Sequence, residues 1–355
     1  MINLQIRPDK LAEEMVEYSR KLGQGIENLI DVGEIDTGVS ARTPVYREDK
    51  LVLYRYDRPQ GVTASNDTPV LIVYALVNRP YMTDIQEDRS TIRGLLASGQ
   101  DVYLIDWGYP DSSDFALTMG DYINGYIDRC VDQVCEAHGL DSINILGICQ
   151  GGTFSLCYTA LHPEKVRNLV TMVTPVDFKT PYDVLSAWVQ HIDIDMLVDT
   201  VGNIPGEMLN WTFLSLKPFS LTGQKYVNMV DLLDDPKKVK NFLRMEKWIF
   251  DSPDQAGETF RQFIRDFYQK NVLIAGEAEI GGDRVDLGNI TCPVLNIYAQ
   301  QDHLVPPDAS ISLGGCVGSD DYSELAFPGG HIGIYVSGRA KKEVTPAIGE
   351  WLNAR

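Results

Sequence analysis

The sequence predicts an α/β protein with a doubly wound, mostly parallel sheet and an inserted helical cap. Two observations carry this prediction: short, continuous apolar runs alternate with helical patterns, and one long helical stretch interrupts the alternation. Continuous apolar runs of strand length are typical of strands buried on both faces of a parallel sheet. Their alternation with helical patterns indicates that helices cover both of those faces.

The apolar runs define a core on either side of the interruption. A half-buried strand pattern at Lys50–Tyr56 is followed by apolar runs at Val70–Val77, Val102–Ile105, Ile143–Leu146, Leu169–Val173 and Val294–Tyr298. Helical patterns are predicted at 8–31, 85–98, 121–138 and 151–161. We therefore assign residues 1–176 and 289–355 to the α/β core.

The interruption, residues 177–288, reads as a helical cap (lid) insertion. It holds aromatic-rich helical stretches separated by prolines, predicted at 181–198, 205–219, 224–233, 236–250 and 257–269. Ligands of such sheets bind beyond the carboxyl ends of the strands. We therefore expect the cap to cover that edge and to gate access to a site there.

Composition and charge exclude several classes of protein. The 355 residues are 44% hydrophobic and 23% charged, which is typical of a globular protein. A formal net charge of −19 disfavours binding to nucleic acid and to anionic membrane surfaces. No apolar run approaches the roughly 18–20 residues of a transmembrane segment. The N-terminus lacks a signal-peptide pattern, so a cytoplasmic location is expected. The scattered histidines and cysteines predict no metal site.

The strongest local motif is Gly147-Ile148-Cys149-Gln150-Gly151-Gly152, between an apolar strand and a helical pattern. It resembles the nucleophile elbow of α/β-hydrolases, with Cys149 in place of serine, so the expected fold is α/β-hydrolase-like. The turn is so tight that a Cβ at the neighbouring glycines would clash. The N–H groups at a helix N-terminus also favour a thiolate there. Cys149 is therefore the candidate nucleophile.

A nucleophile of this kind needs an acidic residue and then a histidine later in the chain. Asp302 follows the strand at Val294–Tyr298, and His331 lies in a Gly-rich loop farther on. His303 is a rival base, but a neighbour of Asp302 in the chain cannot easily reach both that carboxylate and Cys149. We therefore expect a Cys149–His331–Asp302 triad.

The oxyanion hole should combine two backbone N–H groups. One belongs to Gln150, directly after the nucleophile, and the other to Val77 or Asn78 in the loop after the first parallel strand.

Three further features allow two interpretations each. Arg79 could contact a phosphate or carboxylate of a substrate, or could form a structural ion pair. Trp107, in the loop Asp106–Asp114, could line the substrate pocket or only belong to a turn. A basic cluster on the predicted helix 236–250 could attract an anionic substrate or simply face solvent.

Taken together, several motifs resemble the catalytic subunit of polyhydroxyalkanoate synthases of the short class III type. The matching segments are Asp106–Gly108, Gly147–Gly152, Met172–Phe178, Gln300–Pro307 and Gly329–Gly333, which span roughly residues 70–340. The resemblance implies polymerisation of (R)-3-hydroxyacyl groups, with 3-hydroxybutyryl as the expected monomer, from coenzyme A (CoA) thioesters. Cys149 would carry the growing chain, His331 would activate it, and Asp302 would assist the incoming hydroxyl. No cofactor is implied, because CoA is only the leaving group.

The resemblance also implies partners and a location. Short synthases work with a second subunit, and class IV enzymes are also short, so the accessory subunit could be of either type. A homodimer or larger assembly and association with cytoplasmic polyester granules are expected. Two other functions stay open: a Cys-dependent esterase or lactone hydrolase of the same fold, and a non-catalytic granule-coating protein, which would need no elbow.

Overall fold

The computed structural model describes Val16 and residues 34–355 except Tyr182. The helix predicted at 8–31 therefore lies outside the described residues, apart from Val16. Within the described chain, no helix is long and apolar enough to cross a membrane.

The centre of the fold is an eight-stranded sheet in the order β1-β2-β6-β3-β7-β8-β11-β12. Strand β2 pairs antiparallel with β1 and β6, and every other neighbouring pair is parallel. The mostly parallel sheet predicted from the apolar runs is confirmed. The strands of the described chain, including two short hairpins, are β1 Arg42–Glu48, β2 Leu51–Tyr56, β3 Val70–Val73, β4 Asp84–Gln86, β5 Arg89–Ser90, β6 Val102–Asp106, β7 Ile143–Ile148, β8 Val166–Met172, β9 Glu279–Ile280, β10 Asp283–Arg284, β11 Val294–Ala299 and β12 Tyr322–Phe327.

Helices cover both faces of the sheet and fill the segment between β8 and β11. The α-helices of the described chain are α1 Thr91–Ala97, α2 Asp128–His138, α3 Gln150–Leu161, α4 Val184–Val189, α5 Ile194–Val201, α6 Gly206–Ser215, α7 Lys225–Met229, α8 Pro236–Phe250, α9 Gly257–Gln262, α10 Val272–Ala275, α11 Pro307–Ile311, α12 Gly333–Val336 and α13 Ala340–Asn353. The π-helical turns are Asp121–Ile127, Phe219–Gln224 and Phe263–Gln269, and the 3-10 turns are Pro80–Thr83, Ser112–Asp114, Pro163–Lys165, Val230–Leu232, Leu287–Asn289 and Ser312–Gly315.

The sheet separates two apolar cores. Along β3, Leu71 and Val73 face one core, whereas Val70 and Ile72 face the other. Helices α2 and α3 bury their apolar side chains in the first core, together with parts of the cap. Helices α1 and α13 bury theirs in the second. All four β3 side chains are fully buried, which explains why this strand reads as a continuous apolar run.

Several predicted elements differ from the structure. The helix predicted at 85–98 is wrong over its first part, where the β4–β5 hairpin stands and α1 begins only at Thr91. Buried Asp84 stabilises this hairpin, because its Oδ1 accepts a hydrogen bond from the hydroxyl of Ser90 at 2.6 Å. The same hydroxyl caps α1 by accepting from the N–H of Arg93 at 2.9 Å. The strand predicted to reach Val77 ends at Val73, where the chain leaves the sheet.

The edge strand β1 and the hairpin of β9 and β10 had no signal in the sequence. The edge strand β1 is largely exposed and carries no apolar run. The two-residue strands β9 and β10 form a hairpin inside segment 177–288, where only helices were predicted. Neither contributes the long apolar face from which a strand is recognised.

The cap packs on the core through aromatic side chains. Phe263 in the cap lies edge-to-face with Phe154 of α3, with ring centroids 6.0 Å apart. At the other end, the indole N–H of Trp248 in α8 donates to the carbonyl of Arg79 at 2.8 Å. The cap is thereby held over the loops that follow β3 and β7.

Candidate active site

Cys149 occupies a strained backbone position between β7 and α3. Its φ of 55° and ψ of −125° lie outside the regions that L-residues ordinarily adopt. The strain is held by the Cys149 N–H, which donates to the carbonyl of Met172 at 2.9 Å, and by the N–H of Gly152, which donates to the carbonyl of Cys149 at 2.9 Å. This is the backbone expected of a nucleophile elbow, which lifts one side chain out of a sharp strand-to-helix turn.

The glycines of the motif have no room for a Cβ. A Cβ on Gly151 would lie 2.3 Å from the carbonyl oxygen of Val73, and one on Gly147 would lie 2.5 Å from the Cα of Gly152. Both neighbours are backbone atoms, so neither contact can be relieved by a side-chain rotation. The sequence pattern therefore follows from the closeness of β3, β7 and α3.

The substitution Gly151→Ala should lower the free energy of unfolding by about 3 kcal/mol, the range of overpacked core positions. Urea denaturation measures this change. Gly315→Ala is the matched control, because a Cβ there would meet nothing within 4 Å. Equal stability losses for the two variants would contradict the proposed clash.

Asp302 and His331 meet beside this turn. His331 Nδ1 and Asp302 Oδ2 are 2.7 Å apart, and both side chains are almost completely buried. The second carboxylate oxygen, Oδ1, accepts the N–H groups of Leu304 at 2.8 Å and Val305 at 3.0 Å. Both oxygens of Asp302 are thus held, and the carboxylate fixes the orientation of the imidazole ring.

The side chain of Cys149 lies beside His331, and both line the same cavity. Burial by itself lowers the pKa of His331, but the charge of Asp302 and the contact with Cys149 outweigh it and raise that pKa above its usual value. The imidazolium form of His331, which arises when this base takes a proton from the nucleophile, is therefore stabilised. The structure brings together all three residues of the predicted triad.

His303 stands differently, although it lines the same cavity. Burial and the nearby Lys217 lower the pKa of His303. Asp302 is hydrogen-bonded to His331 and not to His303, as expected from their positions in the chain.

Backbone N–H groups are available for an oxyanion. The N–H groups of Gln150, Val77 and Asn78 donate to no acceptor within the described residues. The Oε1 atom of Gln150 accepts from Leu76 N at 3.1 Å, which ties the loop after β3 to the start of α3. Asn78 has a φ of 61°, a conformation that asparagine tolerates better than most residues. Gln150, Val77 and Asn78 all line the cavity next to Cys149.

The structure does not bring Arg79 to the cavity, which favours the interpretation as a structural ion pair. Its guanidinium lies 2.7 Å from the carboxylate of Asp106, donates to the carbonyl of Gly108 at 2.6 Å, and lies over the ring of Tyr109. Both terminal nitrogens are thus engaged by a buried carboxylate and a carbonyl, whereas Nε is buried without a partner among the described residues.

Trp107 is likewise not a substrate contact. It is buried, and its indole N–H donates to the carbonyl of Tyr74 at 2.9 Å. Because Tyr74 directly follows β3, Trp107 supports the wall of the site from behind.

The basic cluster on α8 faces partly partners within the protein and partly solvent, since Lys237, Lys238 and Lys247 are exposed. Each of its five side chains lies near a carboxylate or a backbone carbonyl: Lys237 near Asp88, Lys238 near Asp235, Lys240 and Arg244 near Asp36, and Lys247 near the Ile35 carbonyl.

Cys149 and His331 open into one cavity of about 540 Å³ between the core and the cap. Most of its lining is apolar and comes from the cap. Three tyrosines that the sequence analysis did not single out also line it, namely Tyr74, Tyr268 and Tyr335. The ring of Tyr335 stands edge-on to His331, with ring centroids 6.3 Å apart. The one signal in the sequence for a position of Tyr335 near His331 is its spacing of four residues from that histidine.

Asp183 is a buried carboxylate close to this site. Its side chain caps α4 by accepting from Ser186 N at 2.8 Å. Burial, with a smaller contribution from the charge of Asp302, raises the pKa of Asp183 to about 6. The native state therefore holds this proton more tightly than the unfolded chain does.

Because the folded pKa of Asp183 is raised, the charged form destabilises the fold, and stability falls as pH rises towards about 6. Asp183→Asn keeps a good capping residue. The stability gained by this variant should grow by about 1 kcal/mol between pH 5 and pH 7 and then level off. Denaturation at several pH values tests this, with Asp193→Asn, at the exposed cap of α5, as control. A gain that is independent of pH would contradict it.

The comparisons with known proteins agree with this geometry. Residues 68–337 match the family model of the alpha/beta hydrolase fold. The chain is 76% identical over 355 residues to the poly(3-hydroxyalkanoate) polymerase subunit PhaC of Allochromatium vinosum, covering 100% of both chains. It is 51% identical over 360 residues to the subunit of the same name from Synechocystis sp., covering 99% of this chain and 95% of that one.

Solved structures of low identity share the fold. A monoacylglycerol lipase of Paleococcus ferrophilus superposes with a TM-score of 0.56 at 17% identity, covering 86% of this chain and 99% of the lipase. The fold and the elbow define an α/β-hydrolase-type protein. Within that class, the chain belongs to the family of PhaC subunits of poly(3-hydroxyalkanoate) polymerase.

Proposed function

We propose that this chain is the catalytic subunit of a polyhydroxyalkanoate synthase. It polymerises (R)-3-hydroxyacyl groups, 3-hydroxybutyryl above all, from CoA thioesters and releases CoA. The observation that carries the proposal is the Cys149–His331–Asp302 arrangement on the wall of a largely apolar cavity. Membership of the PhaC family supports the polymer product, and a thiol nucleophile suits a thioester substrate.

In the first half-reaction, His331 takes the proton of Cys149, and the sulfur attacks the thioester carbonyl. The N–H groups of Gln150 and of Val77 or Asn78 stabilise the oxyanion. The bond between the carbonyl carbon and the CoA sulfur then breaks. CoA leaves as a thiol with the proton from His331, and the acyl group stays on Cys149.

In the second half-reaction, the 3-hydroxyl of an incoming 3-hydroxyacyl-CoA attacks the carbonyl carbon held on Cys149. The hydroxyl proton passes to His331 as the new ester bond forms. The carbon–sulfur bond to Cys149 breaks, and the sulfur recovers the proton. The lengthened chain, now a CoA thioester, acylates Cys149 again as in the first half-reaction and releases its CoA. Asp302 stabilises the imidazolium that forms during the attack. The cap keeps water, the competing nucleophile, away from the acyl-enzyme.

The outer surface of the cap supports a role at a polyester granule in the cytoplasm. Several of its large apolar side chains are exposed, among them Met196, Trp211, Phe219 and Val227. Large apolar side chains exposed in number on one segment suit contact with another protein or an apolar phase. A second subunit of the class III or class IV type and a homodimer or larger assembly belong to the same proposal. No cofactor is required.

The function is tested by incubating the protein with (R)-3-hydroxybutyryl-CoA. Release of CoA together with growing turbidity is the result expected of a polymerase. Release of CoA with an equal amount of free 3-hydroxybutyrate would instead identify a thioester hydrolase and overturn the proposal.

A further inference from the structure

The mostly apolar wall of the cavity next to Cys149 contains an ion pair between a lysine and a glutamate. Lys225 of α7 and Glu246 of α8 line it, and their side chains are only 20% and 14% exposed. On α8, Glu246 shares its face with the apolar residues Phe242, Met245 and Ile249, which also line the cavity. Burying two charges costs free energy that a hydrophobic pair would not. The triad does not use this pair, so its presence calls for another explanation.

The two oxygens of Glu246 have different surroundings. Oε2 accepts from Lys225 Nζ at 3.0 Å and from the hydroxyl of Tyr226 at 2.7 Å. Oε1 lies 2.8 Å from the same Nζ but is not aligned for a hydrogen bond. This oxygen is buried and has no hydrogen-bond donor within the described residues. Because Glu246 lines the cavity, a rotation of its carboxylate would present this oxygen to an N–H or O–H group of the cavity's occupant.

The same pair lies close to the nucleophile along α8. The carbonyl of Ile249 faces Asn78 Nδ2 at 3.4 Å, and Asn78 belongs to the loop that is tied to the elbow through Gln150. Glu246 is three residues before Ile249, about one helical turn or roughly 5 Å along the axis. A flexible arm attached to a thioester at Cys149 can reach it.

The chemistry of the substrate identifies the arm. A polyester chain carries ester oxygens, which accept hydrogen bonds but cannot donate them. The pantetheine arm of a CoA thioester carries two amide groups, each with an N–H donor and a carbonyl acceptor. A carboxylate oxygen without a donor, next to an ammonium group, is complementary to such an amide. A second buried oxygen without a donor, Gln255 Oε1, lines the same cavity.

We propose that Glu246 and Lys225 bind an amide of the pantetheine arm and so orient the CoA thioester towards Cys149. This inference rests on the proposed function, since it assumes a CoA thioester as substrate. It divides the cavity into a polar wall for the arm and apolar walls for the acyl group and the polymer.

The test uses the double variant Glu246→Gln/Lys225→Met, which removes both charges and nearly preserves volume. The matched control is Glu343→Gln/Arg339→Met, which removes an exposed charge pair on α13. Three 3-hydroxybutyryl thioesters are compared: that of CoA, that of pantetheine, which has the amides without the phosphates, and that of propanethiol, which has neither. Thermal unfolding reports whether each variant is folded.

For the double variant, KM for the CoA and pantetheine thioesters should rise about tenfold, the scale of a hydrogen bond to a charged group. Its kcat and its use of the propanethiol thioester should stay within twofold of wild type, and the control should match wild type throughout. If the wild-type protein does not turn over the propanethiol thioester, this thioester is tested as an inhibitor of turnover of the CoA thioester. Its inhibition constant is then compared between the variants in place of its turnover.

An equal loss of activity with all three thioesters would show that Lys225 and Glu246 only hold α7 against α8. Unchanged KM values would show that the pair does not contact the pantetheine arm. Either result overturns the inference. If the double variant does not fold, Glu246→Gln alone is measured with the same three thioesters and the same criteria. Failure of the proposed function looks different, because wild-type protein would then turn over none of the thioesters to polymer.

Discussion

Cys149→Ala should release no CoA from 3-hydroxybutyryl-CoA above background, a loss of at least about 10⁴-fold in kcat. No other group can replace the sulfur, because the elbow presents only this side chain to His331 and the N–H groups of the oxyanion site. Cys149→Ser should keep less than about 10% of the activity, since an alcohol is a much weaker nucleophile than a thiolate. CoA release in a continuous assay measures both variants.

Cys292→Ala is the matched control for this experiment. Burial raises the pKa of Cys292 to about 11, so it stays a thiol at neutral pH, and it does not line the cavity. Its loss should cost about 1 kcal/mol of stability and leave most of the rate. A serine variant of Cys149 with substantial activity, or an inactive but stable Cys292 variant, would contradict the assignment of the nucleophile.

Asp302→Asn should separate the two half-reactions. The substituted side chain can keep its carbonyl oxygen on the N–H groups of Leu304 and Val305, which turns its NH₂ towards His331 Nδ1. The imidazolium form of His331 then loses its carboxylate. Acylation tolerates this, because it needs only a thiolate, and the N-terminus of α3 helps to stabilise one. Chain growth does not, because the attacking hydroxyl is far less acidic than a thiol and needs the base.

We therefore expect Asp302→Asn to release CoA once per active site in a burst, while the steady-state rate falls about 100-fold or more. Rapid-quench measurement of both phases tests this expectation. Asp308→Asn, which changes an acidic residue on the neighbouring helix α11, should leave both phases unchanged. A burst that shrinks together with the steady state would mean that Asp302 serves both steps.

The features that could be predicted from the sequence are those determined by short segments of the chain and by their order. The steric demands of the elbow select glycines on both sides of Cys149, and chain order then points to Asp302 and His331. The central parallel strands are recognisable because they are buried on both faces. Strand β1 carries no such signal, because it is an exposed edge.

The residues that the sequence could not reveal depend on contacts between distant segments. Tyr74, Tyr268 and Tyr335 converge on the cavity from the loop after β3, the cap and α12, and no spacing connects all three. Arg79 and Trp107 follow strands at the correct edge of the sheet, yet both side chains turn inward to Asp106 and to the carbonyl of Tyr74. Position after a strand determines the edge, but the local hydrogen-bond partners determine where the side chain points.

Attachment of the growing chain to Cys149 can be observed on the protein itself. The Asp302→Asn protein is mixed with isotopically labelled 3-hydroxybutyryl-CoA and quenched in acid, and its peptides are analysed by mass after protease digestion. We expect one labelled peptide, the one that contains Cys149, carrying one or a few hydroxybutyryl units. Label on any other peptide, or CoA released with no label on the protein, would contradict it.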